Sequence, residues 1–173
     1  AAPDGFLMAD LMLTLCPETP ADDAIVEKLA ERAFGPGRFA RTAYRLREGV
    51  TPEYSLSLIA RVATLIVGAN RMTPIRLGGQ PALLLGPLIV DPAFHGRGIG
   101  GALIEKSCAL AAKAGWRLVF LVGDAPYYER FDFKRVPPGR LTMPWPVDPA
   151  RMLVRELVAG AFEGVSGAVS RAV

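Results

Sequence analysis

Gly86-Pro-Leu-Ile-Val-Asp-Pro-Ala-Phe-His95-Gly96-Arg97-Gly98-Ile99-Gly100-Gly101-Ala102-Leu103 runs from an apolar segment, through a loop dense in glycine, into the start of a helix. Glycines between a strand and a helix let the backbone turn tightly, aim several N–H groups at one point and admit a ligand without interference from Cβ. The helix N-terminus adds partial positive charge at the same place. Strand, loop and helix therefore read together as a cradle for the pyrophosphate of a nucleotide-containing cofactor.

Working outward, Gly98 to Ala114 reads as a helix with Ile99, Leu103, Leu110 and Ala114 on one face, and Gly115 ends it. Trp116 to Val122 is nearly all apolar, the pattern of a strand buried on both faces. Following a helix, it can lie parallel to the strand before it and complete a βαβ unit. Upstream, Tyr54–Val67 and Ile75–Val90, interrupted by Gly68, Asn70, Pro74 and Gly78-Gly79, predict a meander of three antiparallel strands. The third of them, Pro81 to Val90, carries Gly86-Pro87 at its middle and should be locally broken there. Leu11–Cys16 predicts a first strand. Thr19-Pro20-Ala21-Asp22 resembles a capping box opening a helix whose stripe is Ile25, Val26, Leu29, Ala30 and Ala33, and Gly35-Pro36-Gly37 stops it. A second helix is expected over Arg38–Arg47. Downstream come a helical turn at Ala125–Phe131, a short strand at Phe133–Val136, proline-marked loops, and an apolar segment from Met152 to Val173 whose type the pattern leaves open.

With 173 residues, 51% hydrophobic and 21% charged, the chain suits one domain spanning 1–173. No apolar run approaches the roughly 20 residues that cross a bilayer. Ala1–Leu15 lacks a basic leader, so a cytoplasmic protein without a membrane partner is expected. Ala1–Leu7 reads as an added or processed end, since Met8-Ala9-Asp10 makes a plausible start. Cys16 and Cys108 lie in no metal or redox spacing, and with His95 as the sole histidine no metal site is expected. The net charge of +3 is mild and implies no nucleic-acid partner. Arg38, Arg41, Arg45 and Arg47 recur at helical spacing; a solvated face is the simpler reading and an anionic-ligand site the alternative.

Three cofactor readings compete for the loop. Gly96-x-Gly98-x-x-Gly101 satisfies the dinucleotide fingerprint, with Asp124 about where a ribose-binding acid belongs. Against a nucleotide-binding dehydrogenase, the five residues Asp91–His95 separate strand from glycine, and too little chain follows for further parallel strands. A P-loop fails because no Gly-Lys-Ser/Thr follows. The third reading comes from resemblance. His95, Gly98 and Gly100 occupy the marked places of Gln/Arg-x-x-Gly-x-Gly/Ala, the acetyl-CoA-binding motif of the GNAT superfamily of N-acetyltransferases. Gly86-Pro-Leu-Ile-Val-Asp-Pro and Gly123-Asp-Ala-Pro-Tyr-Tyr-Glu-Arg-Phe-Asp-Phe133 are similar to a bacterial subgroup of small members of that superfamily. The similarity is strongest over residues 80–136 and weakest beyond 137.

The resemblance implies an α/β fold: a mixed, mainly antiparallel sheet with one parallel, splayed strand pair, flanked by helices. It implies that the main chain of Leu88, Ile89 and Val90 binds pantetheine, with an N–H near Ile89 or Val90 polarising the thioester. It places the pyrophosphate on the backbone of the loop His95, Gly96, Arg97, Gly98, Ile99, Gly100, Gly101 and Ala102. Tyr128 aligns with the tyrosine that protonates the departing thiolate, and Tyr127 is left to packing. Acetyl-CoA would be the co-substrate and a primary amine, on a small molecule or a peptide, the acceptor. A homodimer joined through the last segment is compatible with the family, and a non-catalytic acetyl-CoA sensor is the alternative function. Two departures stand out: His95 replaces Gln or Arg, and Asp132 replaces the Gly of Tyr-x-x-x-Gly-Phe, where Gly tolerates angles that Asp only sometimes adopts.

Overall fold

The protein was analysed as a computed structural model, which describes residues 4–8, 11–34 and 44–172. Ten strands join one sheet in the order β1 (Asp4–Met8), β2 (Leu11–Pro17), β3 (Leu58–Val62), β4 (Leu65–Leu77), β5 (Gln80–Val90), β6 (Leu118–Val122), β9 (Met152–Glu156), β7 (Lys134–Arg135). Off this path, β10 (Gly167–Arg171) pairs with β4 and with β8 (Leu141–Thr142). Along the path every neighbouring pair is antiparallel except β5 and β6; β8 and β10 add a two-residue parallel pairing beside it. A sheet with so few parallel neighbours is not a doubly wound dinucleotide fold, which excludes the dehydrogenase reading. Strand β1 lies mostly within the segment expected to be an added end, yet it pairs in register with β2, Asp4 opposite Leu15 and Met8 opposite Leu11.

The helices divide between the two faces. On one, α3 (Ile99–Lys113) buries Ile99, Leu103, Ile104, Cys108 and Ala111 against the sheet; Ala114, expected on this face, is exposed. Short α4 (Ala125–Glu129) sits beside it. On the other face α1 (Asp23–Phe34) buries Val26, Leu29 and Ala30 over Ile59, Ala69 and Ile89, while Ile25, also expected in the stripe, is 49% exposed. The predicted cap is present, with the Asp22 carboxylate accepting from the Thr19 N–H at 2.9 Å and its hydroxyl at 3.0 Å, but the first turn, Pro20–Asp22, is 3₁₀. Of the second predicted helix, α2 (Tyr44–Arg47) is the described part; 35–43 lie outside the described residues.

The C-terminal part is built into the sheet. β9 lies between β6 and β7, and β10 pairs with β4 on one edge and β8 on the other. Phe120 and Val154, with Phe162 and Val169, close a second apolar cluster on the α2 face, separate from the one under α1. Among the described residues no helix is long and apolar enough to cross a membrane, and no three potential metal ligands cluster. Both cysteines are free; Cys108 is buried and Cys16 partly so.

Candidate active site

The site is organised by the bulge in β5. Leu83 and Leu85 face α3 and Leu84 faces the other way, so strict alternation would send Leu88 with Leu84. Instead Leu88 returns to the α3 face and Ile89 to the α1 face. The ladder explains the change of phase: Met72 pairs with Leu85 and Asn70 with Leu88, leaving Gly86 and Pro87 together opposite Arg71. Gly86 has φ 121° and a cis peptide bond precedes Pro87. The break that Gly86-Pro87 predicted is therefore this two-for-one insertion.

Beyond the bulge β5 and β6 part. Their pairing is confined to Leu83 with Val119 and Leu84 with Phe120, after which Leu121 and Val122 pair only with β9. The remaining edge of β5 is open. Asp91 N–H donates to the Val67 carbonyl at 2.8 Å, which sets the phase of the ladder: Ile89, opposite Ala69, bonds toward β4, while the main-chain groups of Leu88 and Val90 point into the opening. Of the two N–H groups expected to polarise a thioester, that of Ile89 is thus turned into the sheet and that of Val90 toward the gap.

His95 closes the loop back onto this edge. Its Nε2–H donates to the Val90 carbonyl at 3.0 Å, a bond that selects the Nε2 tautomer. Asp91 makes a turn, its carboxylate accepting from Ala93 N–H at 3.0 Å and pairing with Arg32 at 3.0 Å. Gly96 and Gly98 both have φ 76°, where a side chain is strained, so these two positions require glycine for the turn itself. Gly98 caps α3, and Ala102 N–H donates to its carbonyl at 3.1 Å. Ala102 is thereby removed from the expected donors, and the first-turn N–H groups of Ile99, Gly100 and Gly101 remain. Arg97 is exposed, its guanidinium 5.7 Å over the Phe94 ring.

The next two glycines answer to α4. A Cβ on Gly100 would lie 2.7 Å from the Tyr127 hydroxyl, and one on Gly101 2.9 Å from the Phe131 ring. Tyr127, left to packing by the sequence, sets its hydroxyl against the first turn of α3, and burial pushes its pKa up. The Tyr128 ring lies against Gly123, where a Cβ would come within 2.7 Å, and packs edge-on to Tyr127 and Phe133 at 5.0 and 5.9 Å. Asp124 caps α4 by accepting from Tyr127 N–H at 3.3 Å. Asp132 adopts φ 64°, so the turn survives the replacement of glycine.

Both tyrosines line a cleft of about 1010 Å³ that runs through the opening between β5 and β6, with Leu85, Leu88 and Leu121 of the α3-side cluster on one side and residues of α1 and α2 on the other. Its wall includes Glu27, Ala30 and Phe34 of α1, Arg47 of α2, Arg71 and Thr73 of β4, and Asp148 and Arg151 from the loop before β9. Arg47 belongs to the arginine cluster for which the sequence left an anionic-ligand site as the alternative, and Ala30 to the expected stripe; the other residues of this wall were not singled out by the sequence, although Glu27, Ala30 and Phe34 form an i, i+3, i+7 row on α1. Arg71 lies among carboxylates: Glu18 at 2.8 Å, Asp23 at 3.3 Å and Glu27 at 4.0 Å. Glu18 is fully covered, and its desolvation raises its pKa against the opposing pull of Arg71.

A profile of the acetyltransferase (GNAT) domain matches residues 53–135, from the meander to β7. A GNAT family acetyltransferase from Brucella melitensis, solved in complex with acetyl-CoA, is 30% identical, with 87% of this chain and 98% of that chain covered and a TM-score of 0.62. The chain belongs to the GNAT acetyltransferase family. Within it, the Escherichia coli N-acetyltransferase YhbS, solved in complex with CoA, is 25% identical over 96% of this chain and 93% of that one, with a TM-score of 0.81. YjhQ of Escherichia coli, an uncharacterised N-acetyltransferase, is 32% identical over 66% of this chain, a match that spans 65% of its own length.

Proposed function

We propose that the protein transfers an acetyl group directly from acetyl-CoA to a primary amine. The observation that carries this reading is the open edge of β5: past Leu84 it has lost β6, and Leu88 and Val90 turn main-chain groups into the gap between the α3 N-terminus and Tyr128. A pantetheine arm can pair with such an edge as a strand would, while the N–H groups of Ile99 to Gly101 and the helix dipole hold the pyrophosphate. The amine enters from the α1 face. Its lone pair attacks the thioester carbonyl to form the C–N bond and an oxyanion, the oxyanion collapses with loss of the C–S bond, and Tyr128 gives its proton to the thiolate and is made good by the proton shed from the acylated nitrogen. Starting from the ammonium form, one proton is released overall. The Val90 N–H, aimed at the gap, supplies the donor for the developing oxyanion.

Calorimetry with acetyl-CoA and with NAD, followed by thiol release against a broad amine panel, tests the reading. Acetyl-CoA should bind in the micromolar range, NAD should be silent, and at least one amine should turn over. Binding without transfer to any amine would favour a sensor, and NAD binding alone would overturn the family-based assignment of the cleft.

A further inference from the structure

We propose that Arg130 recognises the 3′-phosphate of the acetyl donor, so that the site distinguishes acetyl-CoA from its 3′-dephospho form; this rests on the acetyl-transfer reading above. Arg130 stands at the C-terminal cap of α4, with its guanidinium 5.5 Å from the centre of the Tyr127 ring and 5.5 Å from that of the Phe131 ring. Those two rings pack edge to face at 5.4 Å and meet the first turn of α3, where a Cβ on Gly100 would lie 2.7 Å from the Tyr127 hydroxyl and one on Gly101 2.9 Å from the Phe131 ring. The cation is thus carried on the aromatic pair that rests against the phosphate cradle.

The guanidinium is placed by these rings without being neutralised by them. A guanidinium over an aromatic ring keeps N–H groups free to donate to an anion. Among the described residues no carboxylate lies within ion-pair reach of Arg130. Its neighbour Glu129 pairs with Arg135 at 3.7 Å, and Glu105, one turn along α3 from Gly101, pairs with Arg155 at 3.1 Å. Arg130 is also exposed, so an anion reaches it without the cost of burying an unpaired charge.

The order of donors around the cradle decides which phosphate Arg130 meets. The acetyl donor carries a pyrophosphate and, farther from the thioester, a 3′-phosphate monoester with about 1.5 to 2 negative charges of its own at neutral pH. The first-turn N–H groups of Ile99, Gly100 and Gly101, with the helix dipole of about half a charge, answer the pyrophosphate. Arg97, between Gly96 and Gly98 in the cradle itself and held over the Phe94 ring at 5.7 Å, adds its charge to the same group. The main-chain donors end at Gly101, because Ala102 N–H is committed to the Gly98 carbonyl at 3.1 Å. Past Gly101, across the Phe131 ring, stands Arg130. A planar guanidinium fork there suits a terminal monoester, whose three outer oxygens are all free to accept.

Calorimetry with acetyl-CoA and with 3′-dephospho-acetyl-CoA tests this. The wild-type chain should bind acetyl-CoA more tightly by on the order of tenfold or more, the scale of a hydrogen-bonded contact between charged groups. The preference should shrink as salt is raised, since an exposed pair is screened. Arg130→Gln should bring the ratio close to one by weakening acetyl-CoA alone, with the dephospho form bound as before, which also shows that the variant is folded. Arg130→Lys should restore part of the preference, and Arg97→Gln should weaken both donors and leave their ratio unchanged. Equal binding of the two donors by the wild type overturns the proposal. So does an unchanged preference in Arg130→Gln, an equal loss for both donors in that variant, or a preference lost in Arg97→Gln alone. Each of these results leaves the acetyl-transfer reading intact, whereas failure of the wild type to bind either donor overturns both.

Discussion

At the scale of single residues, the two tyrosines of α4 differ by what they touch. Tyr128 lies along Gly123 at the mouth of the gap, and Tyr127 sets its hydroxyl on Gly100. A phenol with a pKa of about 10 stays protonated at neutral pH and can donate to a thiolate. Tyr128→Phe should therefore keep acetyl-CoA affinity by calorimetry but lower kcat on an established acceptor by on the order of 10²-fold or more. Unchanged turnover would remove the general-acid role. For Gly100, the expected phosphate cradle is one reason for excluding a side chain, and the structure adds another. Gly100→Ala should weaken acetyl-CoA binding because the new methyl meets the Tyr127 hydroxyl at 2.7 Å. Combining it with Tyr127→Phe removes that oxygen and should recover much of the binding, while Gly100→Asp in the same background should stay silent. A double mutant no better than Gly100→Ala would show that the contact with Tyr127 is not what limits the site.

Among the elements, the hairpins show where local chemistry and sheet register disagree. Ala63 turns the chain from β3 to β4 with φ 54°, a conformation that an alanine adopts only under strain, and it is exposed. Ala63→Gly should raise stability by about 1 kcal/mol, the cost of left-handed backbone for a residue with Cβ. Chemical denaturation checks this through the midpoint at unchanged slope; a lower midpoint would mean that glycine's extra freedom in the unfolded chain outweighs the relief. Gly78 is the opposite case. Its φ is 54° and a Cβ there would come within 1.8 Å of the Ser166 carbonyl, so the β4–β5 turn is packed on the segment leading into β10. That close approach makes Gly78 a tertiary requirement, although in the sequence it reads only as a turn residue.

For the molecule as a whole, the segment from Glu18 into α1 is fastened across β3 and β4 by ion pairs of Asp22 with Arg61 and of Glu18, Asp23 and Glu27 with Arg71, of which Glu18 with Arg71 is the most buried. The desolvation of Glu18 holds its folded pKa above the ordinary 4.5. In the window above 4.5 the folded chain therefore binds more protons at this group than the unfolded chain, and stability from it falls as pH rises. Relative to Glu18→Gln, the wild type should gain stability as pH is lowered from 7 toward 5, measured by urea midpoints across that range. A difference that moves the other way would mean that the Arg71 pairing outweighs desolvation and holds the carboxyl below its ordinary value. Cys108, pushed up to about 11 by burial, should remain unlabelled by thiol reagents at neutral pH long after the more exposed Cys16 has reacted.

The sequence by itself determined the elements whose signals are local: the three antiparallel strands with their Gly78-Gly79 turn, the break at Gly86-Pro87, the capped start of α1, the glycine loop into α3 and the doubly buried β6. It did not place the first turn of the meander, which falls at Ala63 while Gly68, Asn70 and Pro74 lie within β4. Hydrophobic period, turn residues and helix caps act within a few residues, so each can be read from its own neighbourhood. Residues distant in the chain were hidden for the complementary reason. β9 and β10 take their places only because β6 and β4 offer edges to them, and Ile25 and Ala114 fall off their expected faces because the partner surfaces end short of them. Ladder phase, not residue type, turned Ile89 N–H into the sheet and Val90 N–H into the gap. Arg47, Arg71 and Glu27, far apart in sequence, meet in one cleft because β5 and β6 part and leave an opening between the α3-side cluster and the residues of α1 and α2. Only the packed tertiary structure decides where such a space lies, since it is set by which surfaces fail to meet.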